Sequence, residues 1–153
     1  GLNDSMKFMS VFTTDETTLP GQKDAAVGFL AAGNWAPDML NEANKAFASA
    51  FEKKYGYIPG GYAMQAYDTA NLIDSAITKT GGATDDKDAL RAALREADFT
   101  SVRGDFSFNN NHYPVQNFHA LKVVKREDGK FHTSFVRTIV EDYKDSFAGD
   151  CRM

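Results

Sequence analysis

Between Gly61 and Phe108 the chain carries two helical apolar patterns in immediate succession, and this pair limits the folds open to it. In the first, Ala63, Tyr67, Ala70, Ile73 and Ile77 recur at helical spacing, which predicts one apolar stripe toward a core with Asp68, Asn71, Asp74 and Lys79 on other faces. Gly81-Gly82 ends it. The second places Leu90, Ala93, Leu94 and Ala97 on one face behind Thr84-Asp85-Asp86, whose side chains suit the free N–H groups of a helix start. Val102 to Phe108 then reads as a short strand. Two helices with one apolar face each must pack on something larger.

The segments before the pair supply part of it. Lys7 to Thr13 has the β-branched and aromatic content of a strand, released into the polar loop Thr13 to Thr18. Ala25 to Ala32 is a second buried-strand pattern, released into Gly33-Asn34-Trp35-Ala36-Pro37. In open α/β sheets ligands bind outside the carboxyl ends of strands, so these two loops are candidate ligand positions. A helix starts between Asp38 and Asn41, with Leu40, Ala43, Phe47, Ala50 and Phe51 on one face and Tyr55-Gly56 as its stop. Residues 57–61 form a connector.

Beyond the pair, Asn109 to Pro114 is a turn-rich crossing. Phe118 to Lys125 and Phe131 to Thr138 flank Arg126-Glu127-Asp128-Gly129-Lys130, and Asp-Gly between alternating segments predicts a hairpin. Its second strand should turn Phe131, Thr133 and Phe135 to one face and His132, Ser134 and Val136 to the other. The tail from Glu141 to Met153 reads as a short polar helix or coil.

Composition excludes several classes. With 153 residues and a net charge of -4, both signs dispersed, there is no clustered basic face for a phosphate backbone, so no nucleic-acid partner is expected. No apolar run approaches the ~18 residues of a membrane helix. Cys151 is the single cysteine, either a tail thiol without a role or the partner of a cysteine outside this chain. His112, His119 and His132 are not at metal spacing, although the hairpin would set His119 and His132 across from each other; no metal and no cofactor is expected. There is no G-x-G-x-x-G, Walker lysine or G-x-S-x-G, and Asp85, Asp86 and Asp88 read as helix-start charges. No catalytic constellation is visible, so a small α/β enzyme is disfavoured.

Two features keep two readings each. Trp35 either covers the end of a core or walls a ligand cleft with its apolar ring and single donor. Thr13, Thr14 and Asp15 either cap a local turn or hydrogen-bond a ligand's carboxylate or ammonium group.

The series Asn44-Lys45-x-Phe47, Phe51-x-x-Lys54-Tyr55-Gly56-x-x-Pro59, Gln65-Ala66-Tyr67-Asp68-x-Ala70, Asp88-Ala89-Leu90-Arg91-x-Ala93-Leu94, Gly104-Asp105-Phe106-Ser107-Phe108 and Asn111-His112-x-Pro114-x-Gln116-Asn117 resembles the C-terminal part of the type I periplasmic substrate-binding proteins of ABC importers. The branch it looks like serves branched-chain amino acids and related organic acids, and the Cys-x-Met ending is similar to members that take aromatic acids. The resemblance implies an α/β fold of two Rossmann-like lobes, with the C-terminal hairpin, closing over a ligand. It implies residues 1–57 as a segment of lobe two, 58–113 as a segment of lobe one, and 114–153 as lobe two again.

The family's N-terminal part, which usually holds the ligand carboxylate, is absent here. A fragment that alone binds ligand poorly is therefore expected, with the N-terminal remainder of the same protein as a partner. By position in the motif, Phe12, Thr13, Thr14 and Asp15 after the first strand and Asn34 and Trp35 after the second would face the cleft, with Gln65 and Tyr67 nearer the hinge. The partners implied are a small amino acid or an aromatic or organic carboxylate and a membrane permease, in the periplasm or another extracytoplasmic space. The alternative on the same fold is a ligand-sensing regulatory domain.

Overall fold

The computed structural model describes Leu2, residues 5–11 and residues 13–151. Its centre is a long strand, β4 (Pro114–Lys125), which pairs antiparallel with β2 (Leu30–Gly33) and with β5 (Phe131–Tyr143) and, at its start, with β3 (Ser107–Phe108). A short β1 (Met9–Ser10) lies parallel to β2 on the far edge. Among the described residues four α-helices complete the fold: α1 (Leu19–Gln22), α2 (Glu42–Tyr55), α3 (Gly61–Lys79) and α4 (Lys87–Glu96).

Both early strands are shorter than their apolar patterns predict. After Ser10 the chain bends: the Ser10 and Thr13 hydroxyls bond to each other, and the Thr13 N–H donates to Ser10 Oγ at 3.2 Å, so side chains replace ladder partners. In the second case Lys23–Ala26 is a 3-10 turn, and Gly28 at φ +90° reorients the chain before Leu30. Gly28 N–H still reaches the Val123 carbonyl, so the segment joins the sheet after the bend.

The predicted helix ends fall close to where the structure has them. Asn41 caps α2 by accepting from the Asn44 N–H at 2.8 Å, and Gly56 in the left-handed region closes it. Asp86 caps α4 by accepting from the Ala89 N–H at 3.0 Å. Leu40 lies ahead of α2 and is exposed, so it does not join that helix's apolar face, and Ala50 is exposed as well.

The apolar face of α3 is rotated from the one its sequence suggests. Met64, Asp68 and Ala76 are buried, whereas Tyr67, Ala70 and Ile73 are exposed. Asp68 is drawn inward by donors: Ser101 Oγ at 2.5 Å, the Val102 N–H at 3.0 Å and Arg103 Nε at 3.1 Å. A carboxylate satisfied by three donors, one of them cationic, can be buried. The same bonds bend the chain at Val102 and Arg103, and the expected strand shrinks to Ser107–Phe108.

The hairpin forms with Lys125 opposite Phe131 and Gly129 in the left-handed region. That register puts His119 opposite Thr138 and His132 opposite Val124, so the two histidines are not cross-strand neighbours. The short turn fixes the pairing, and bulges between Gln116 and Leu121 shift it farther. From Phe131 to Phe135 the ladder is unbroken, so successive side chains alternate in face as expected, but burial does not follow the alternation: His132 and Thr133 are both buried, and Phe135 and Val136 are both exposed. The second strand continues to Tyr143, into the stretch read as tail, which ends in a 3-10 turn at Ala148–Asp150 tied down by Asn110 Nδ2 on the Ala148 carbonyl. Glu52 of α2 pairs with Arg126 and Lys130 across the turn.

Three small cores result among the described residues. Trp35, Phe47, Met64 and Val102 join α2, α3 and the loop after β2; Leu19, Ala26 and Val123 lie under α1; Ala31, Ala36 and Leu121 seal β2 on β4.

Candidate functional site

Where β1 and β2 end, the chain leaves a cavity of about 610 Å³. Its walls come from the loop after β1 (Thr14 to Thr18), the end of β2 (Ala31 to Trp35), the start of α3 (Gly61, Tyr62, Gln65) and the inner faces of β4 and β5 (Phe118, Leu121, Thr133).

Asp15 joins two of these walls. Its carboxylate accepts from the Thr17 N–H at 2.9 Å, the Thr17 hydroxyl at 2.6 Å and the Gly61 N–H at 3.2 Å, so it closes its own turn and holds the first residue of α3. A negative charge there also suits the N-terminal end of a helix dipole. Gly60 permits the approach: a Cβ on it would lie 2.9 Å from Asp15 Oδ1.

Glu16 turns inward. Its Oε1 accepts from the Thr133 N–H at 2.8 Å and the Thr133 hydroxyl at 2.7 Å. Burial pushes its pKa up to about 7, against the opposing pull of those two hydrogen bonds and with a smaller contribution from the Asp15 charge. Thr14 beside it is 3% exposed, and its hydroxyl is buried without a hydrogen-bond partner.

Trp35 serves the core and the cavity at once. It is buried against Phe47, and its Nε1 donates to Asn44 Oδ1 at 2.6 Å, so only apolar ring faces the cavity. Asn34 is steadied by donating to Gln116 Oε1 at 2.8 Å, and that oxygen also accepts from Arg103 Nη1 at 3.1 Å. A polar chain thus runs from Asn34 through Gln116 and Arg103 to buried Asp68.

Of the residues singled out from the sequence, Thr14, Asp15, Asn34, Trp35 and Gln65 line the cavity together. Phe12 lies outside the described residues. Thr13 is exposed, bonded to Ser10 and Gln22, and is not in the lining. Tyr67 sits two positions after Gln65, which on a helix turns it to another face; there it packs on Phe47 with centroids 4.6 Å apart. Sequence reasoning missed Glu16 and Thr133. They are 117 positions apart, and no local pattern connects them.

The charge of the lining is one-sided. It holds two carboxyl groups, Asp15 and Glu16, and no Lys, Arg or His among the described residues. Among the described residues no three His, Cys, Asp or Glu side chains are grouped to hold a metal ion.

Comparison with known families decides the affiliation. The profile of the family described as periplasmic binding protein matches residues 1–130. The chain belongs to this family. No curated protein matches it. Among solved structures, this periplasmic binding protein is similar to an ABC transporter substrate-binding protein from Sphaerobacter thermophilus, with 27% identity, a TM-score of 0.85, and coverage of 95% of this chain and 40% of that one. It is similar to an ABC transporter solute-binding protein from R. palustris in complex with benzoate, with 28% identity, a TM-score of 0.85, and coverage of 99% and 40%. A third, from Rhodopseudomonas palustris BisB5 in complex with 3,4-dihydroxy benzoic acid, has 30% identity, a TM-score of 0.81, and coverage of 95% and 39%. The chain therefore spans about 40% of the length of these relatives. The type I fold, α/β with a mixed sheet and C-terminal hairpin, is the one these relatives share.

Proposed function

We propose that this chain forms one wall of the ligand cleft in the solute-binding component of an ABC importer, and that the solute is a small aromatic carboxylate. The observation that carries the reading is the cavity at the ends of β1 and β2, in which the Trp35 ring, Phe118 and Leu121 supply apolar surface and a few fixed polar groups border it. Three relatives at 28–30% identity are in complex with benzoate, 3,4-dihydroxy benzoic acid or 4-hydroxybenzoate. Relatives at 18% identity that bind leucine or other branched-chain amino acids support the fold alone.

In this reading residues 1–57 and 114–153 belong to one lobe and 58–113 to the other, with Asp15 and the Gly60-Gly61 pair at a crossing between them. Contacts from ligand to both lobes favour the closed form, which a membrane permease recognises in an extracytoplasmic space. The remainder of the protein completes the other lobe. The exposed Tyr67, Ala70 and Ile73 on α3 form the apolar stripe such a partner would cover.

A thermal-shift series on this chain and on the product of the whole gene, with benzoate, 4-hydroxybenzoate and leucine, tests the proposal. Ligand at ~100 times its dissociation constant stabilises a binder by about 2.7 kcal/mol. The whole protein should shift with the aromatic acids, and this chain alone should not. A shift with leucine only would reject the aromatic-acid assignment, and a full shift by this chain would reject the two-part cleft.

A further inference from the structure

We infer that Thr14 and Glu16 form a hydrogen-bonding end of the cleft that selects for an uncharged hydroxyl on the ligand and turns the ligand's carboxylate toward the opposite end. The inference rests on the aromatic-acid reading above and adds the orientation of the ligand and the residues that discriminate.

Two observations carry it. First, the lining holds the Asp15 carboxylate and no cationic side chain among the described residues, so a ligand carboxylate at this wall would meet like charge with nothing to offset it. Asp15 is already satisfied by three donors from Thr17 and Gly61, which leaves it a structural role. Second, the Thr14 hydroxyl is buried, lines the cavity and has no partner. A buried hydroxyl without a partner costs free energy, and a ligand hydroxyl able both to donate and to accept removes that cost.

Glu16 suits the same partner. Thr133 supplies two donors to Oε1 and thereby fixes the side chain at the back of the cavity. Its burial disfavours charge at this end of the cavity, so its carboxyl group meets a phenol O–H as a hydrogen-bond partner, whereas a second carboxylate would bring a charge into a site that disfavours one. With the carboxylate at one end of the ring and the hydroxyl at the other, the arrangement is para.

The test is calorimetric titration of the whole-gene protein with benzoate, 4-hydroxybenzoate and benzene-1,4-dicarboxylate, in the wild type, Thr14→Val and Glu16→Gln. The wild type should bind 4-hydroxybenzoate roughly tenfold more tightly than benzoate and the dicarboxylate at least roughly tenfold more weakly than 4-hydroxybenzoate. Thr14→Val should reduce the preference for 4-hydroxybenzoate over benzoate to about twofold, each affinity being measured in the variant itself. Glu16→Gln, which keeps hydrogen-bonding capacity, should retain that preference. Equal affinity of the wild type for benzoate and 4-hydroxybenzoate, or an undiminished preference in Thr14→Val, overturns the inference while leaving the aromatic-acid reading intact. If no aromatic acid binds the wild type, that reading fails and the subsite falls with it.

Discussion

The indole Nε1 of Trp35 donates to Asn44 Oδ1 at 2.6 Å, and both residues are buried. The Asn44 Nδ2 in turn lies 3.3, 3.2 and 3.1 Å from the carbonyls of Ala36, Pro37 and Met39. One side chain on α2 thus organises the whole loop that follows β2. Asn44→Leu would orphan the indole N–H and those carbonyls, and should cost about 2–4 kcal/mol. Trp35 is the only tryptophan, so urea denaturation followed by its fluorescence reads this site directly. A loss under ~0.5 kcal/mol, the scale of an ordinary surface change, would show that the loop is held by other contacts.

The buried pair between Asp68 and Arg103 should behave asymmetrically. Asp68→Ala leaves Arg103, Ser101 and the Val102 N–H without their acceptor, and a loss of about 3–5 kcal/mol is expected. Arg103→Met leaves Asp68 with its other two donors and should cost less. Denaturation of the two variants side by side would contradict this account if Arg103→Met proved the more damaging.

Glu16 gives stability a definite pH dependence. Its pKa is raised from the usual 4.5 to about 7, so folding favours the protonated form. The contribution is complete below 4.5 and is lost as pH rises through 7. The loss is on the order of 3 kcal/mol, measured against Glu16→Gln, which does not titrate. Urea midpoints of the two proteins between pH 5 and 8 should diverge, the wild type falling relative to the variant. A constant difference would mean that burial does not disfavour the Glu16 charge.

At the crossing into α3, Gly60→Ala must displace the Asp15 carboxylate, because the new Cβ would lie 2.9 Å from Oδ1 and 3.3 Å from Cγ. Each single change, Gly60→Ala or Asp15→Ala, should cost about 1–2 kcal/mol, through lost turn and helix-start hydrogen bonds. In the double variant the clash is gone, so its cost should be smaller than the two together. Strict additivity would show that the two positions are independent.

The sequence made the helix ends and the hairpin turn readable because Asn41, Gly56, Asp86 and Gly129 act through local backbone chemistry. The loops after the two strands were readable as loops for a similar reason, and they border one cavity. Strand lengths were not: Gly28 and the Ser10 hydroxyl interrupt segments whose composition is that of a strand. The face of α3 was misjudged because Asp68 takes its place from partners 33 to 35 positions away. Glu16 escaped notice since only the fold brings Thr133 to it.

β4 meets its two neighbours over very different chain distances. It finds β5 across a short turn, whereas its contact with the end of β2 brings together residues such as Asn34 and Gln116, 82 positions apart. Closing that long loop must be offset by the contacts made at the end, so the hairpin is expected to assemble early and the cavity wall late. The same order in reverse makes the cleft side of the sheet the first to open. Amide protons of β2 should exchange with solvent sooner than those that pair β4 with β5 near the turn, and a ligand seated on that wall would slow exchange where the chain has the least protection of its own.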